Sequence, residues 1–169
     1  MIDYTSHDIQ TFIRVAKQKE ASDEFQSLKK LLAVKDKIEI FRGILTNELK
    51  ALVYDVRFKR YKFKEYIIKE NDDSVEIFFL LKGECHTFLG EKLIAKLYEG
   101  TTFGEIGVIT NSKRSASVVA ASKEVLLLSF KINENNLDFN ARGLAIFYRN
   151  LAATINDKLQ KLNIVATKK

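Results

Sequence analysis

The stretch FGEIGVITNSKRSAS, Phe103 to Ser117, sets a glycine and a carboxylate ahead of a short apolar segment and an arginine nine positions after that carboxylate. Glu105 and Arg114 are too far apart to be neighbours on one helical turn, where partners stand three or four residues apart. The spacing suits a short helix and a loop that folds back. Gly104 lets backbone pass close to a ligand. EIGVI can make a helical turn whose first amides are unpaired and favour an anion. Arg114 returns on the loop with a planar, permanently charged fork that matches phosphate oxygens. A carboxylate repels a phosphate, so Glu105 needs a different role, which is to accept a hydrogen bond from a ligand hydroxyl and to orient Arg114. A small, singly charged phosphate ester with a hydroxyl beside it satisfies both residues. A plain, weakly stabilising loop ion pair would satisfy them too.

The elements that must hold this stretch can be read on either side of it. The first forty residues are helical in pattern. Ile9, Phe12, Ile13 and Ala16 share one face; Phe25, Leu28, Leu31 and Leu32 share another, after the helix start ASDE. A short helical piece holds Ile38, Ile40 and Phe41, and LTNELKALVYDV predicts a helix from about Thr46 to Val53. The texture then changes. RFKRYKF alternates. EYIIKENDDS reads as a strand and a turn. VEIFFLLKGECHTFLG reads as a long strand interrupted at Gly83, and KLIAKLYEG as a strand closed by Gly100. SASVVAAS and EVLLLSFKI read as a strand pair joined by Ser122 and Lys123. Short strands between turn signals argue for a sandwich or barrel. From Arg142 to Leu162, Leu144, Phe147, Leu151, Ile155 and Leu159 recur at helical steps, which predicts one long amphipathic helix.

Composition narrows the function classes. The chain has 169 residues, 46% hydrophobic and 30% charged, with a net charge of +6. It can bury a real core, and its lysines are spread along the chain as a solvated basic surface rather than a nucleic-acid patch. Proline is absent, so Gly, Asn, Asp and Ser must make the turns. No apolar run approaches the roughly 20 residues of a membrane span. The N-terminus MIDYTSHDIQ lacks an export-signal pattern, and the single Cys85 cannot form an internal disulfide; a cytoplasmic location is expected. Cys85 and His86 are adjacent on a strand and face opposite ways, and His7 is remote, so no metal site is expected. Ser115 and Ser117 have no histidine near them in sequence. With no nucleophile, base and orienting group in view, the chain is not expected to be an enzyme.

YEGTTFGEIGVITNSKRSASVVAAS resembles the phosphate-binding cassette of the cyclic nucleotide-binding domain family, found in catabolite activator-type regulators, cyclic-nucleotide-dependent kinases and gated channels. The shared features are Gly100, Phe103-Gly104-Glu105, the apolar IGVI, Arg114-Ser115 and the strand ASVVAA. LLKGECHTF and FKEYIIKENDDSVEIFFLLKGE are similar to the family's entry strands. The resemblance covers roughly residues 38 to 162. It implies a mainly β member of the α+β class, a double-stranded β-helix (jelly-roll) barrel flanked by N-terminal helices and a long C-terminal helix. The expected divisions are an N-terminal helical extension over 1–37, the binding domain with its C-terminal helix over 38–162, and a basic tail over 163–169.

The implied ligand is cyclic AMP or cyclic GMP, with no metal. Glu105 would take the ribose 2′-hydroxyl and Arg114 the cyclic phosphate. Amides of Gly104, Ile106 and Gly107 would cap the phosphate, and Ser115 would add a hydroxyl to the phosphate or the purine. Thr87, Ile94 and Ala95 fall where the family lines the base. The helix around Asn156 to Leu159 is the candidate lid. Two departures stand out. Lys113 replaces the proline common before the arginine, and KENDDS lacks the usual turn glycine, although Asn71 tolerates the same left-handed geometry. In activator-type relatives the long helix makes a coiled-coil dimer, so a homodimer or an unknown protein partner is expected, without a DNA-binding domain after it. The expectation is a regulatory sensor module. The alternative is an interaction module that keeps the fold and binds no nucleotide.

Overall fold

The computed structural model describes residues 23–134 and 137–167, apart from the side chains of 137–139 and 161–167. The face of Ile9, Phe12, Ile13 and Ala16, and His7, lie outside the described residues. Helix α1 occupies 23–34 of these. Two 3-10 turns follow, Lys35–Lys37 and Glu39–Phe41, then helix α2, Thr46–Leu52. Eight strands come next: β1 Val53–Lys62, β2 Tyr66–Ile68, β3 Ile77–Lys82, β4 Cys85–Leu89, β5 Lys92–Leu97, β6 Thr102–Phe103, β7 Ser117–Ala120 and β8 Glu124–Ile132. Helix α3, Glu105–Thr110, sits between β6 and β7, and helix α4, Leu137–Thr167, closes the chain. It is longer than the predicted span and runs into the stretch set apart as a tail.

The strands form two antiparallel four-stranded sheets, β1-β8-β3-β6 and β2-β7-β4-β5, as in a jelly roll. Two strand expectations are corrected here. VEIFFLLKGECHTFLG is two strands in different sheets. Gly83 lies between them at φ 97°, and a Cβ there would come within 2.6 Å of the Glu124 carbonyl oxygen. Likewise β7 and β8 do not pair with each other: β7 pairs with β2 and β4, and β8 with β1 and β3. The Ser122-Lys123 link is a corner between sheets. Neither residue is of the Gly or Asn type that a two-residue hairpin turn needs.

The apolar density of β3 and β8 follows from burial on both faces. Ile77, Phe79, Leu128 and Phe130 face one core, shared with Leu31, Ile38, Ile40, Phe41, Leu49, Phe147 and Leu151 from the helical parts. Phe78, Leu80, Val125 and Leu127 face the second core, between the sheets, with Ile68, Cys85, Phe103 and Val118. The α1 face is narrower than predicted. Leu31 is buried and Leu28 and Leu32 pack beside it, but Phe25 is exposed, with the Lys29 ammonium over its ring.

Helix α4 is anchored near its start. Asn140 has non-helical φ/ψ and marks a kink. Its Nδ2 donates to the Glu48 carbonyl at 3.0 Å, and Arg142 donates to the Glu48 carboxylate at 2.7 and 2.8 Å. Asn150 Nδ2 donates to the carbonyls of Ile40 and Arg42. These bonds and the Phe41–Phe147 ring contact fix the first half of α4 against α2 and the second 3-10 turn. The second half is thereby directed across the cassette.

Candidate functional site

The approach to the cassette is tied to β3: the Gly100 amide donates to the Leu80 carbonyl at 2.8 Å and the Leu80 amide to that of Thr101 at 2.9 Å. β6 continues this pairing, with Phe103 opposite Phe78. The chain then turns through Gly104, at φ 87°, into α3. Glycine is required twice over. The backbone is left-handed, and a Cβ would lie 2.9 Å from the Glu76 carbonyl oxygen and 3.1 Å from Arg114 Nη1. A Cβ on Gly107 would lie 3.2 Å from the same nitrogen. The two glycines of the motif therefore make room for the guanidinium, a role the sequence did not show.

Arg114 is only 4% exposed. Its backbone is clamped to the turn before β3. Its amide donates to the Asp72 carbonyl, and the Asn71 amide donates to the Arg114 carbonyl, both at 2.8 Å. Asn71 adopts the expected left-handed geometry, φ 70°. In the side chain, Nε donates to Ser74 Oγ at 3.0 Å, Nη2 to the Glu76 carbonyl at 2.6 Å and Nη1 to the Gly104 carbonyl. Burial pulls the guanidinium below its ordinary value, and the carboxylates of Glu76, Glu105 and Asp72 oppose that shift. An arginine starts from so high a value that it stays charged.

Glu105 is 2% exposed, and its partner is not Arg114. Lys158 of α4 donates to Glu105 Oε1 and, at 2.7 Å, to the Thr102 carbonyl. The expected orienting bond from Glu105 to Arg114 is thus replaced by two separate sets of contacts. Backbone carbonyls and Ser74 hold the arginine, and a lysine from a distant part of the chain holds the glutamate. Lys158, Ser74 and Glu76 were missed in the sequence. Lys158 is one lysine among many on an amphipathic helix, and Glu76 acts through its backbone, so neither left a signal.

A cavity of about 960 Å³ opens over this cassette. Gly104, Glu105, Ile106, Gly107, Arg114 and Ser115 line one side of it, and Thr87, Ile94 and Ala95 line another. The structure thus brings these nine residues, picked out from sequence, around one cavity. From α4, Thr154, Ile155, Asp157, Lys158 and Leu159 complete the wall. Asn156, included in the expected lid, lines instead an apolar groove with Ile109 and Tyr148. Elsewhere, Cys85 is buried with its thiol pushed up to about 12, chiefly by burial, and His86 bonds Glu84 at 2.7 Å. Among the described residues no cluster of His, Cys, Asp and Glu could hold a metal ion. No described helix is long and apolar enough to cross a membrane.

Residues 58–134 match the sequence profile of the cyclic nucleotide-binding domain. This part of the chain is a cyclic nucleotide-binding domain. The matched span runs from within β1 to just past β8, so it holds nearly all of both sheets and α3 but not α4 with Lys158. Human cGMP-dependent protein kinase 2 is 28% identical over 135 residues, covering 75% of this chain and 18% of the kinase. The chain therefore spans less than a fifth of that relative. Among solved structures, a cyclic nucleotide-binding domain from Methylobacillus flagellatus superimposes with a TM-score of 0.66, 16% identity and 85% of each chain covered. The catabolite activator protein of Thermus thermophilus superimposes with a TM-score of 0.58 and 25% identity, covering 76% of this chain and 62% of that one. These neighbours share the mainly β fold with flanking helices.

Proposed function

We propose that the cyclic nucleotide-binding domain of this chain is a sensor that takes cyclic AMP or cyclic GMP into the cavity over α3. The observation that carries this is Arg114: a buried guanidinium held by three bonds to the chain itself, on the wall of a cavity it shares with Glu105. A permanent cation fixed in this way is a preorganised partner for a phosphate monoanion. Amides of Gly104, Ile106 and Gly107 add donors beside it. Glu105 takes the ribose hydroxyl, and Ser115, exposed at the cavity rim, adds its own hydroxyl. Thr87, Ile94 and Ala95 face the purine, and the Thr154–Leu159 stretch of α4 covers it. The ligand shifts the position of α4 only by binding one helix position better than the other. A regulatory role without chemistry of its own, in a cytoplasmic setting, belongs to this proposal, as do the division of the chain at 37/38 and signalling through a homodimer or a protein partner.

Thermal melting of the protein with cyclic AMP, cyclic GMP and non-cyclic AMP tests it. A ligand at about 100 times its Kd adds about 2.7 kcal/mol of stability. In a chain of this size that is a rise of roughly 5–10 °C in Tm. A cyclic nucleotide should give this rise, and Arg114→Ala and the milder Arg114→Lys should remove most of it. If no cyclic nucleotide shifts Tm in ligand-free protein, the fold serves as an interaction module instead.

A further inference from the structure

The pairing of Lys158 with Glu105 bears on how the cavity balances charge. Glu105 and Arg114 are both nearly sealed from water, so their formal charges act at close range in a poorly screened place. Alone, they sum to zero, and a singly charged phosphate ester would leave the buried site with one net negative charge. Lys158 changes that sum. Its ammonium is held by the Glu105 carboxylate and the Thr102 carbonyl, on the cavity wall beside the cassette. With it, and with the Glu76 carboxylate offset by the Lys59 ammonium at 2.7 Å, the empty site carries one net positive charge, and a monoanion brings the total to zero. Glu39, Lys96, Glu99 and Asp157 also border the cavity, at exposed positions where water and salt screen them. A carboxylate has lone pairs on both oxygens, so the lysine on Oε1 leaves Oε2 able to accept a ligand hydroxyl.

We propose that Lys158 is a positioning residue for the ligand, which neutralises Glu105 so that the same pocket can hold a sugar hydroxyl and a phosphate monoanion. It does so from α4, so the charge balance is complete only when that helix lies across the cassette. This rests on the cyclic nucleotide reading above.

The test is calorimetric titration at fixed salt with cyclic AMP, cyclic GMP and the matching neutral nucleosides. The proteins are the parent, Lys158→Met, Lys158→Arg, Glu105→Gln and the double variant Glu105→Gln/Lys158→Met, with ligand-free melting as the check on folding. Lys158→Met should weaken cyclic nucleotide binding about tenfold, and Lys158→Arg should restore most of it. The nucleosides should lose little. With Glu105 already uncharged, adding Lys158→Met should cost less than about threefold, because the two residues act as a unit. A parent that binds no cyclic nucleotide overturns the underlying reading, and this inference with it. A parent that binds, beside a Lys158→Met protein that binds equally well, overturns only the inference. Tighter binding by Lys158→Met also overturns it and makes the ammonium a competitor for the hydroxyl. An equal loss for nucleosides, or an undiminished loss in the Glu105→Gln background, reduces Lys158 to a structural role.

Discussion

Arg114 has three hydrogen bonds to its own chain before any ligand arrives, and these set tight limits on the backbone around it. The nearest constraint is Gly104. An alanine there would have to adopt φ 87° and push a methyl within 2.9 Å of the Glu76 carbonyl oxygen. The left-handed backbone alone costs roughly 1–2 kcal/mol in a residue with a Cβ. The clash adds to that by moving Glu76, whose carbonyl holds Arg114 Nη2. Gly104→Ala is therefore expected to lose about 2 kcal/mol of stability in denaturant melts and to weaken cyclic nucleotide binding by more than the stability loss explains. Full affinity in a Gly104→Ala protein would show that the guanidinium does not depend on this turn. At this scale Glu105 and Arg114 were legible in the sequence because a motif carries them. The partners that hold them were not, since Ser74 and the Glu76 carbonyl reach the site from the loop before β3 and Lys158 from α4, all distant in the chain.

Helix α4 is held at one end and engaged at the other. The held end depends on Glu48, which ties α2 to α4. Its carboxylate accepts from the Leu45 amide at the start of α2 and from Arg142 on α4, while its carbonyl accepts from Asn140 at the kink. Arg142, then the Leu45 amide, holds the Glu48 carboxyl below its ordinary value of 4.5. A carboxylate whose folded-state value is depressed stabilises the fold above its unfolded value, and that contribution fades as pH falls through the lowered one. Because Arg142 is exposed, the contribution is of order 0.5 kcal/mol. Glu48→Gln should melt below the parent at pH 7, and the gap should close as the pH is taken below 4.5. A gap that stays constant down to about pH 3, below the unfolded value, would mean that the carboxylate's charge does not set it. The long helix itself was readable from its apolar steps. Its kink was not, because Asn140 breaks the helical backbone to make a bond that depends on where α2 lies. The same limit hid the corner between β7 and β8: alternation and turn residues mark strand ends, and sheet membership follows from which faces the other strands leave to be covered.

The described residues form two cores on either side of one sheet. β3 and β8 contribute alternate residues to each, so the barrel core and the helical core share their walls. This arrangement makes the first half of α4 integral to the fold: Phe147 and Leu151 are fully buried in the helical core. Past Leu151 the helix keeps only the partly buried Ile155 against that core. Thr154, Ile155, Asp157, Lys158 and Leu159 face the cavity, with Leu159 54% exposed. A ligand in the cavity should therefore stabilise the two halves differently. Amide hydrogen exchange, followed with and without saturating cyclic nucleotide, checks this. Amides over 154–159 open with little core to hold them and should gain about tenfold or more in protection. Those over 144–151 exchange only when the helical core opens, so their protection should rise no more than the global stability does. Protection gained solely over Glu105–Thr110 would place the ligand on the cassette without a lid and would leave α4 a purely structural helix. A gain that begins at residue 154 would locate the boundary between the fixed scaffold and the moving lid about a turn beyond Leu151, where the buried face of α4 gives way to the cavity.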